Sequence, residues 1–341
     1  MEPTEHSFQE ANLWSTPIRD LGLTIEGTRL APIIAEFLGE LGARGIRLRP
    51  RFYLSSEWGV PFETISIAIP FYLADEELMR LHRERVGLVE GADRDEVLRY
   101  LRHEMGHVMN YAYRLYDTEE WVRLFGSITQ PYEDDYTPQP FSRRHVRHLP
   151  GWYAQKHPDE DWSETFAVWV TPGLDWQADY RAWPVALSKL AYCDRIVSRV
   201  RDTAPLVTDD ERDEDVADIA YTLEAFYEAE PDLRNELPPG IDGALRAIFR
   251  ELIRRDGGAV PELAPAAGLF RRLERDLMAS VFRWTGHFPE RTRLLVRHLA
   301  DRATTLELGY DAARAEQAQV AVTTFVTALA MNFIHRGSYL P

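Results

Sequence analysis

The feature that most constrains the fold is the sequence HEMGH at residues 103–107. Histidines four residues apart lie on one face of an α-helix, one turn from each other, so both imidazoles can reach the same ion. Apolar residues at helical spacing flank the motif, and a D-x-x-E sequence at 93–96 is typical of a helix start. The pattern predicts a long helix over residues 93–116 that presents His103 and His107 as metal ligands.

Composition restricts the chemistry of such a site. The chain has one cysteine, Cys193, which excludes an internal disulfide, a Cys-rich zinc finger and an iron–sulfur cluster held by this chain alone. The metal ligands must therefore be His, Asp or Glu. Zinc suits imidazole and carboxylate ligands in a tetrahedral site with one open position. Glu104 lies between the two histidines, where it can accept a proton from a metal-bound water.

A third ligand must come from another element, because two histidines leave zinc under-coordinated. Our first choice is Glu164, which lies on a predicted helix with the small residue Ala167 on the same face, so that two helices can approach closely. The alternatives are Glu160, one helical turn earlier, and the two histidines of the basic sequence RHVRH at 144–148, His145 and His148.

The first part of the chain alternates between helical and strand patterns. Helices are predicted over 28–43, 75–86 and 185–200, with another that begins at Pro158. Segments 51–58 and 64–73 are rich in β-branched and aromatic residues. Pro70 ends the second strand or places it at a sheet edge, because proline cannot donate to the ladder. An edge strand beside a cleft can pair with an extended substrate.

The second part reads as helix throughout. Polar and acidic residues make 201–215 the best linker candidate, although its acidic end could instead open the next helix. The predicted organisation is an α+β domain over 1–204 followed by an all-α domain over 216–341. The predicted helices of the second domain are 216–229, 241–255, 266–284, 289–307 and 311–334.

Charge and hydropathy exclude several function classes. The formal net charge of −16 disfavours nucleic acid and anionic membranes as partners. The N-terminus lacks the features of a secretory signal, and 320–334 is too short and polar to span a bilayer, which favours a soluble cytoplasmic protein with that segment as a buried helix. The chain has no phosphate-binding glycine loop and no G-x-S-x-G elbow.

These motifs resemble a known family. The HExxH helix, the strand sequence at 67–73 and the sequence HPDEDWSETFA at 157–167 are similar to the bacterial family of putative zinc-binding metallopeptidases, over about residues 10–200. The resemblance implies a zincin-like domain of the gluzincin type, with a small mixed sheet, an active-site helix and a Glu helix. It implies one zinc ion on His103, His107 and Glu164, with Glu104 as general base in the hydrolysis of a peptide or protein.

Other roles in the site remain open at this stage. Tyr153 is the candidate to stabilise the oxyanion, since lethal-factor-type gluzincins carry a Tyr-Ala pair before their Glu ligand, and His157 is the second candidate. Asp161, Glu160 and Asp175 are candidates to orient the zinc histidines, and Asn110 is expected to face solvent.

Two other functions compete with hydrolysis. The chain could be a binding or regulatory module with structural zinc or vestigial activity, whose helical domain engages a protein partner. A fourth protein ligand, such as His145 or His148, would support that reading. In the other alternative, the helical domain covers the cleft of a peptidase, with the acidic stretch 209–215 as a hinge.

Overall fold

The structure, a computed structural model, describes residues 13–132, 136, 138–139, 142–229, 237–238, 240–252 and 263–340. The chain forms two compact units, Met1–Pro231 and Asp232–Pro341. This division lies beyond the linker that the sequence suggested at 201–215. That segment is held within the first unit: Ile65 N–H donates to Asp209 O at 2.8 Å, and Val216 N–H donates to Leu54 O at 2.8 Å. The proposed hinge at 209–215 is therefore part of the first unit.

The first unit follows the predicted succession of helices and strands closely. Asp93 caps its helix and Pro158 occupies the first turn of another, as the sequence indicates, and Asp75 and Thr118 cap two further helices. The strands are β1 (Arg51–Ser55) and β2 (Ser66–Pro70). The helices are α1 (Leu30–Ala43), α2 (Glu76–Val86), α3 (Arg94–Ala112), α4 (Glu119–Phe125), α5 (Pro158–Val170), α6 (Trp176–Asp179), α7 (Pro184–Val200) and α8 (Leu223–Ala229).

The sheet of the first unit differs from the predicted one. Strands β1 and β2 pair in parallel, from Arg51 opposite Ser66 to Ser55 opposite Pro70. On the other side of β2, Gly59 forms an antiparallel bridge with Ala68, whose N–H donates to Gly59 O at 2.8 Å. All five residues of β2 are buried. β2 ends at Pro70, as the sequence predicts, and the chain after β1 returns along its free side to form the bridge at Gly59.

Helices α3 and α5 pack against each other and carry the candidate site. Gly106 makes the approach possible, since a Cβ atom there would lie 2.5 Å from the Cα of Ser163. The indole Nε1–H of Trp162 donates to Gly106 O at 2.8 Å, across the same contact. The sequence predicts a close approach at Ala167, which is buried, and the structure adds the close approach of Gly106 to Ser163.

The second unit is not all helical. Its helices are α9 (Asp242–Ile248), α10 (Ala266–Thr285), α11 (Pro289–Thr305) and α12 (Ala315–Arg336). A three-stranded antiparallel sheet in the order β3-β5-β4 joins them, with β3 at Arg250–Glu251, β4 at Leu263–Pro265 and β5 at Leu308–Asp311. The predicted helix 241–255 ends early because the chain enters β3. The predicted helix 216–229 is shortened to α8, and it belongs to the first unit.

Helix α12 buries one face rather than its whole surface. Ala318, Val322, Val326, Leu329 and Ala330 are buried in the core of the second unit, whereas Val320 is 66% exposed. By length and composition alone the helical segment Ala312–Arg336 could cross a membrane, contrary to the sequence-based expectation, and 28% of its apolar window is buried. Core helices of soluble proteins meet the same criterion, so this is weak evidence for a membrane span.

Candidate metal centre

Three potential ligand atoms converge where α3 meets α5. The Nε2 atoms of His103 and His107 lie 3.2 Å apart, and Glu160 Oε2 lies 2.9 Å from the first and 3.3 Å from the second. A tetrahedral zinc site with bonds of about 2.0–2.2 Å has ligand atoms roughly 3.3–3.6 Å apart. The donor set and its spacing therefore fit a zinc ion, with only a few tenths of an ångström of expansion. All three side chains are buried.

The other ring nitrogen of each histidine faces a carboxylate. His103 Nδ1 lies 2.9 Å from Glu164 Oε1, and His107 Nδ1 lies 3.0 Å from Asp159 Oδ2. With Nδ1–H donated to a carboxylate, the imidazole presents the Nε2 lone pair to a metal, and its orientation is fixed. Both histidines are thus arranged as ligands through Nε2.

The geometry puts Glu160, rather than Glu164, in the position of third ligand. The ring of His103 lies between the two carboxylates, so that Glu164 is on the side away from His107. Glu164 is fully buried and accepts the backbone N–H groups of His148 at 3.0 Å and Leu149 at 2.9 Å. Glu160 and Glu164 share a face of α5 one turn apart, and the sequence does not say which of them the histidines meet.

Glu104 lines the cleft next to this cluster. It is 5% exposed and makes no hydrogen bond or ion pair with another described residue. Burial raises the pKa of its carboxyl group, against the opposing effect of charge on His103 and His107. A carboxyl group with a raised pKa and no structural partner is available to take up a proton.

Two tyrosines stand on one side of the cluster. Tyr132 donates its hydroxyl to Glu160 Oε1 at 2.8 Å, and its oxygen lies 3.2 Å from the hydroxyl of Tyr153. The Tyr153 ring packs edge-on against His103, with centroids 5.5 Å apart. The structure thus brings Tyr153 to the site, as the sequence analysis proposed. Tyr132 was missed because it lies in a proline-rich loop with no motif around it.

Asp159 is a further residue of the site that the sequence did not single out, and two residues of α3 hold it. Tyr111 donates its hydroxyl to Asp159 Oδ2, and Asn110 Nδ2 donates to Asp159 Oδ1 at 2.7 Å. Asn110 is fully buried, which corrects the expectation that it faces solvent. The sequence does carry a signal for Asn110, because it lies three residues after His107 on nearly the same helix face.

The remaining candidates serve other purposes. His157 caps α5, since its Nδ1 accepts the N–H of Asp159 at 3.2 Å. Asp175 caps α6, and Asp161 accepts a hydrogen bond from the buried Lys189. None of these three residues lies within the three-residue cluster.

His145 and His148 are likewise placed away from the cluster. His148 Nε2 lies 2.9 Å from Arg99 O, and His145 Nε2 lies 3.8 Å from Asp161 Oδ2. Burial lowers the pKa of His148 to about 4 and that of His145 to about 3. Within the described part of the chain, neither His145 nor His148 is therefore placed to act as a fourth metal ligand.

The carboxylates around the cluster shift the pKa values of its histidines. Burial lowers the pKa of His103, but hydrogen bonds to Glu160 and Glu164 outweigh it and raise the pKa to about 9. The pKa of His107 is also raised well above its usual value, because Asp159 and Glu160 outweigh its burial. The pKa of Glu160 is held well below its usual range by the same histidines, despite burial. A site that attracts protons this strongly suits a divalent cation.

The cluster lies in a cleft of about 520 Å³. The residues after β1 and the loop before α5 form part of the lining, together with side chains of α3 and α5. Its lining comprises Glu57, Trp58, Gly59, Val60, Phe62, His103, Glu104, His107, Tyr111, Ile128, Gln130, Tyr132, Tyr153, Lys156, His157, Asp159 and Glu160. A cleft of this size admits a short stretch of peptide or a small molecule.

Comparison with known proteins agrees with this geometry. No match was found among curated proteins or among solved structures. Residues 66–187 match the model of the family described as "Putative zinc-binding metallo-peptidase". The matched segment contains β2, the HExxH helix α3 and the helix α5 that carries Glu160. The resemblance to that family is therefore confirmed for residues 66–187, about a third of the chain.

Proposed function

We propose that the chain is a zinc-dependent peptidase with a zincin-like site, in which His103, His107 and Glu160 hold the ion. The convergence of His103 Nε2, His107 Nε2 and Glu160 Oε2 within 3.3 Å carries the proposal. The family match over the same elements supports it. Glu164 then has a different role from the predicted one. It orients His103 through Nδ1, as Asp159 orients His107.

A zinc ion held there would polarise a peptide carbonyl and lower the pKa of a water molecule. The protein residues supply the remaining chemistry. Glu104 accepts the proton of the attacking water and returns it to the leaving amine, which its place in the cleft and its lack of other partners favour. Tyr153 provides a hydroxyl donor for the carbonyl oxygen as negative charge develops there, while Tyr132 beside it donates to Glu160.

The alternative of a structural metal requires a closed site. His145 and His148 would have been its fourth ligands, and both are engaged elsewhere. The cluster opens on a cleft instead, and Glu104 faces that cleft with no described partner. These two observations favour a catalytic site over a structural one.

The test compares zinc content and peptide hydrolysis in the same preparations. The wild type, Glu104→Gln and the control Asp95→Asn are measured by elemental mass spectrometry and on a mixed peptide library. Asp95 lies on α3 as well, with its side chain 81% exposed. We expect about one zinc per chain in all three proteins and a loss of hydrolysis of roughly 100- to 10,000-fold in Glu104→Gln alone.

Two outcomes would contradict the proposal. Full hydrolysis by Glu104→Gln would remove Glu104 from the mechanism. A wild type that holds zinc but cleaves no peptide of the library would favour the alternative function, a binding module with structural zinc.

A further inference from the structure

The cleft has an uneven distribution of charge. Four acidic residues line it, namely Glu57, Glu104, Asp159 and Glu160, whereas Lys156 is the only lysine or arginine among its lining residues. A substrate carboxylate placed elsewhere in the cleft would face like charge. Apart from the metal cluster itself, Lys156 is thus the cationic group among the described lining residues that can attract an anion.

Lysine is itself unusual in this chain. Of the 39 lysines and arginines only two are lysines, Lys156 and Lys189, which leaves 39 − 2 = 37 arginines. Lys189 is buried and binds Asp161 and the carbonyl of Arg144. The chain thus carries almost all of its positive charge on arginine, and places its other lysine in the cleft.

The ammonium group of Lys156 is positioned by the two tyrosines of the site. Its Nζ lies 4.4 Å from the ring centroid of Tyr132 and 5.3 Å from that of Tyr153. Since the Tyr153 ring also contacts His103, the ammonium lies no more than about 11 Å from that imidazole, the length of roughly three extended residues. Contact with the ring faces stabilises the charge but satisfies none of its three N–H donors.

Lys156 has no carboxylate partner among the described residues, in contrast with Lys189. The two carboxylates that follow it in the chain have other partners: Asp159 binds His107 and Asn110, and Glu160 accepts the hydroxyl of Tyr132. A lysine presents a compact charge on a flexible stem, which can meet a single carboxylate in a narrow place without the broad fork of an arginine.

We propose that Lys156 forms a subsite for a substrate carboxylate, within about three residues of the bond that is cleaved. The carboxylate belongs either to an acidic side chain or to the C-terminus of the peptide, and both present the same group to the ammonium. This inference rests on the proposed peptidase function. It makes Lys156 a residue that selects the substrate and sets its register in the cleft.

The test uses peptides in matched sets. Each set carries Glu or Gln at one position near the cleaved bond, and each peptide is made with a free or an amidated C-terminus. The measured quantity is the ratio of kcat/KM for the carboxylate-bearing peptide to that for its neutral counterpart. The proteins are the zinc-loaded wild type, Lys156→Gln, Lys156→Arg and the control Arg123→Gln, whose side chain is 72% exposed on α4.

We expect the wild type to prefer one carboxylate position by about five- to tenfold. The ratio should fall to about one in Lys156→Gln, persist in Lys156→Arg and stay unchanged in Arg123→Gln. A preference that depends on amidation identifies a terminal carboxylate, and one that depends on Glu against Gln identifies a side chain. A wild type without any carboxylate preference, or a preference that Lys156→Gln retains, overturns the proposal.

A separate readout keeps this result apart from the peptidase function itself. If the wild type cleaves no peptide, binding of the same peptides to the zinc-loaded protein is measured by calorimetry. Carboxylate-dependent binding that Lys156→Gln loses would uphold the subsite while the peptidase function fails. Binding that is indifferent to the carboxylate would overturn the subsite.

Discussion

His103 of the first unit and His287 of the second are buried in opposite electrostatic settings. His103 in the first unit lies between two carboxylates, which outweigh its burial and raise its pKa to about 9. His287 in the second unit lies between the hydroxyls of Thr292 and Tyr339, at 2.8 and 2.7 Å, and burial lowers its pKa to about 4. Burial alone does not mark a functional histidine; the charge of its partners does.

The same contrast extends to the buried polar residues as a group. In the described part of the second unit, the buried polar side chains are His287 and Thr292. Helices α3 and α5 of the first unit alone bury ten such side chains: His103, Glu104, His107, Asn110, Asp159, Glu160, Asp161, Ser163, Glu164 and Thr165. Burying polar groups costs stability unless they are paired. In the first unit the buried polar groups of α3 and α5 therefore lower stability around the expected metal site. The described part of the second unit buries few such groups.

The largest expected effect concerns the two glutamates of α5. Glu160→Gln removes a proposed ligand, whereas Glu164→Gln removes only a partner of His103 Nδ1. Loss of an orienting carboxylate typically lowers metal affinity by roughly 10- to 100-fold, and we expect the loss in Glu160→Gln to exceed that range. Competition for zinc with a chelator measures the zinc affinity of both variants, with Asp95→Asn as control. A larger loss in Glu164→Gln would return Glu164 to the ligand position.

The next effect tests the packing that brings the two site helices together. Gly106→Ala places a Cβ atom 2.5 Å from the Ser163 backbone, so we expect a loss of unfolding free energy of about 1–3 kcal/mol. Gly268→Ala on α10 is the matched change in the second unit. There the nearest atom to the new Cβ is the guanidinium of Arg272 at 3.7 Å, so stability should stay equal or rise slightly.

Urea unfolding of the full chain gives the size of each change, and hydrogen exchange shows which unit responds. Gly106→Ala should increase exchange in α3 and α5, and leave α10 and α11 as they are. A Gly106→Ala protein as stable as the wild type would show that the close approach is not needed to hold the site.

The sequence predicted the site as far as local rules extend. The HExxH spacing and the start of α3 at Asp93 follow from helix geometry and capping, and the structure reproduces them. The choice between Glu160 and Glu164 depends on how α5 is rotated against α3, which the Gly106 contact determines and no local pattern records. Tyr132 reaches Glu160 from a loop, and loops have no periodicity from which to place a side chain.

The errors in the fold have similar causes. The bridge on the free side of β2 depends on the return of Gly59, a single residue outside any strand pattern. The segment 201–215 looks like a linker because its side chains are polar, but the backbone of Asp209 pairs with Ile65. In the second unit β3 is only two residues long, too short to show alternation.

The smallest expected effect is a pH dependence that differs between the units. The folded pKa of His103, about 9, lies above its unfolded value of about 6.5, so its contribution is complete below pH 6.5 and is lost as pH rises through 9. The metal-free protein should therefore become less stable between pH 7 and 9. The folded pKa of His287 lies below its unfolded value, so its contribution is lost as pH falls from 6.5 toward 4.

Tryptophan fluorescence can isolate the first unit in this experiment. Trp284 is the only tryptophan of the second unit and is 66% exposed, so in a Trp284→Phe background the signal comes from residues 1–231 alone. Metal-free protein should unfold at lower urea concentration at pH 9 than at pH 7, and the additional substitution His103→Gln should reduce that difference. Zinc should also reduce it, because the ion replaces the protons between the same carboxylates. Equal urea midpoints at the two pH values in metal-free protein would mean that His103 does not hold its proton, and the electrostatic contrast between the units would then fail.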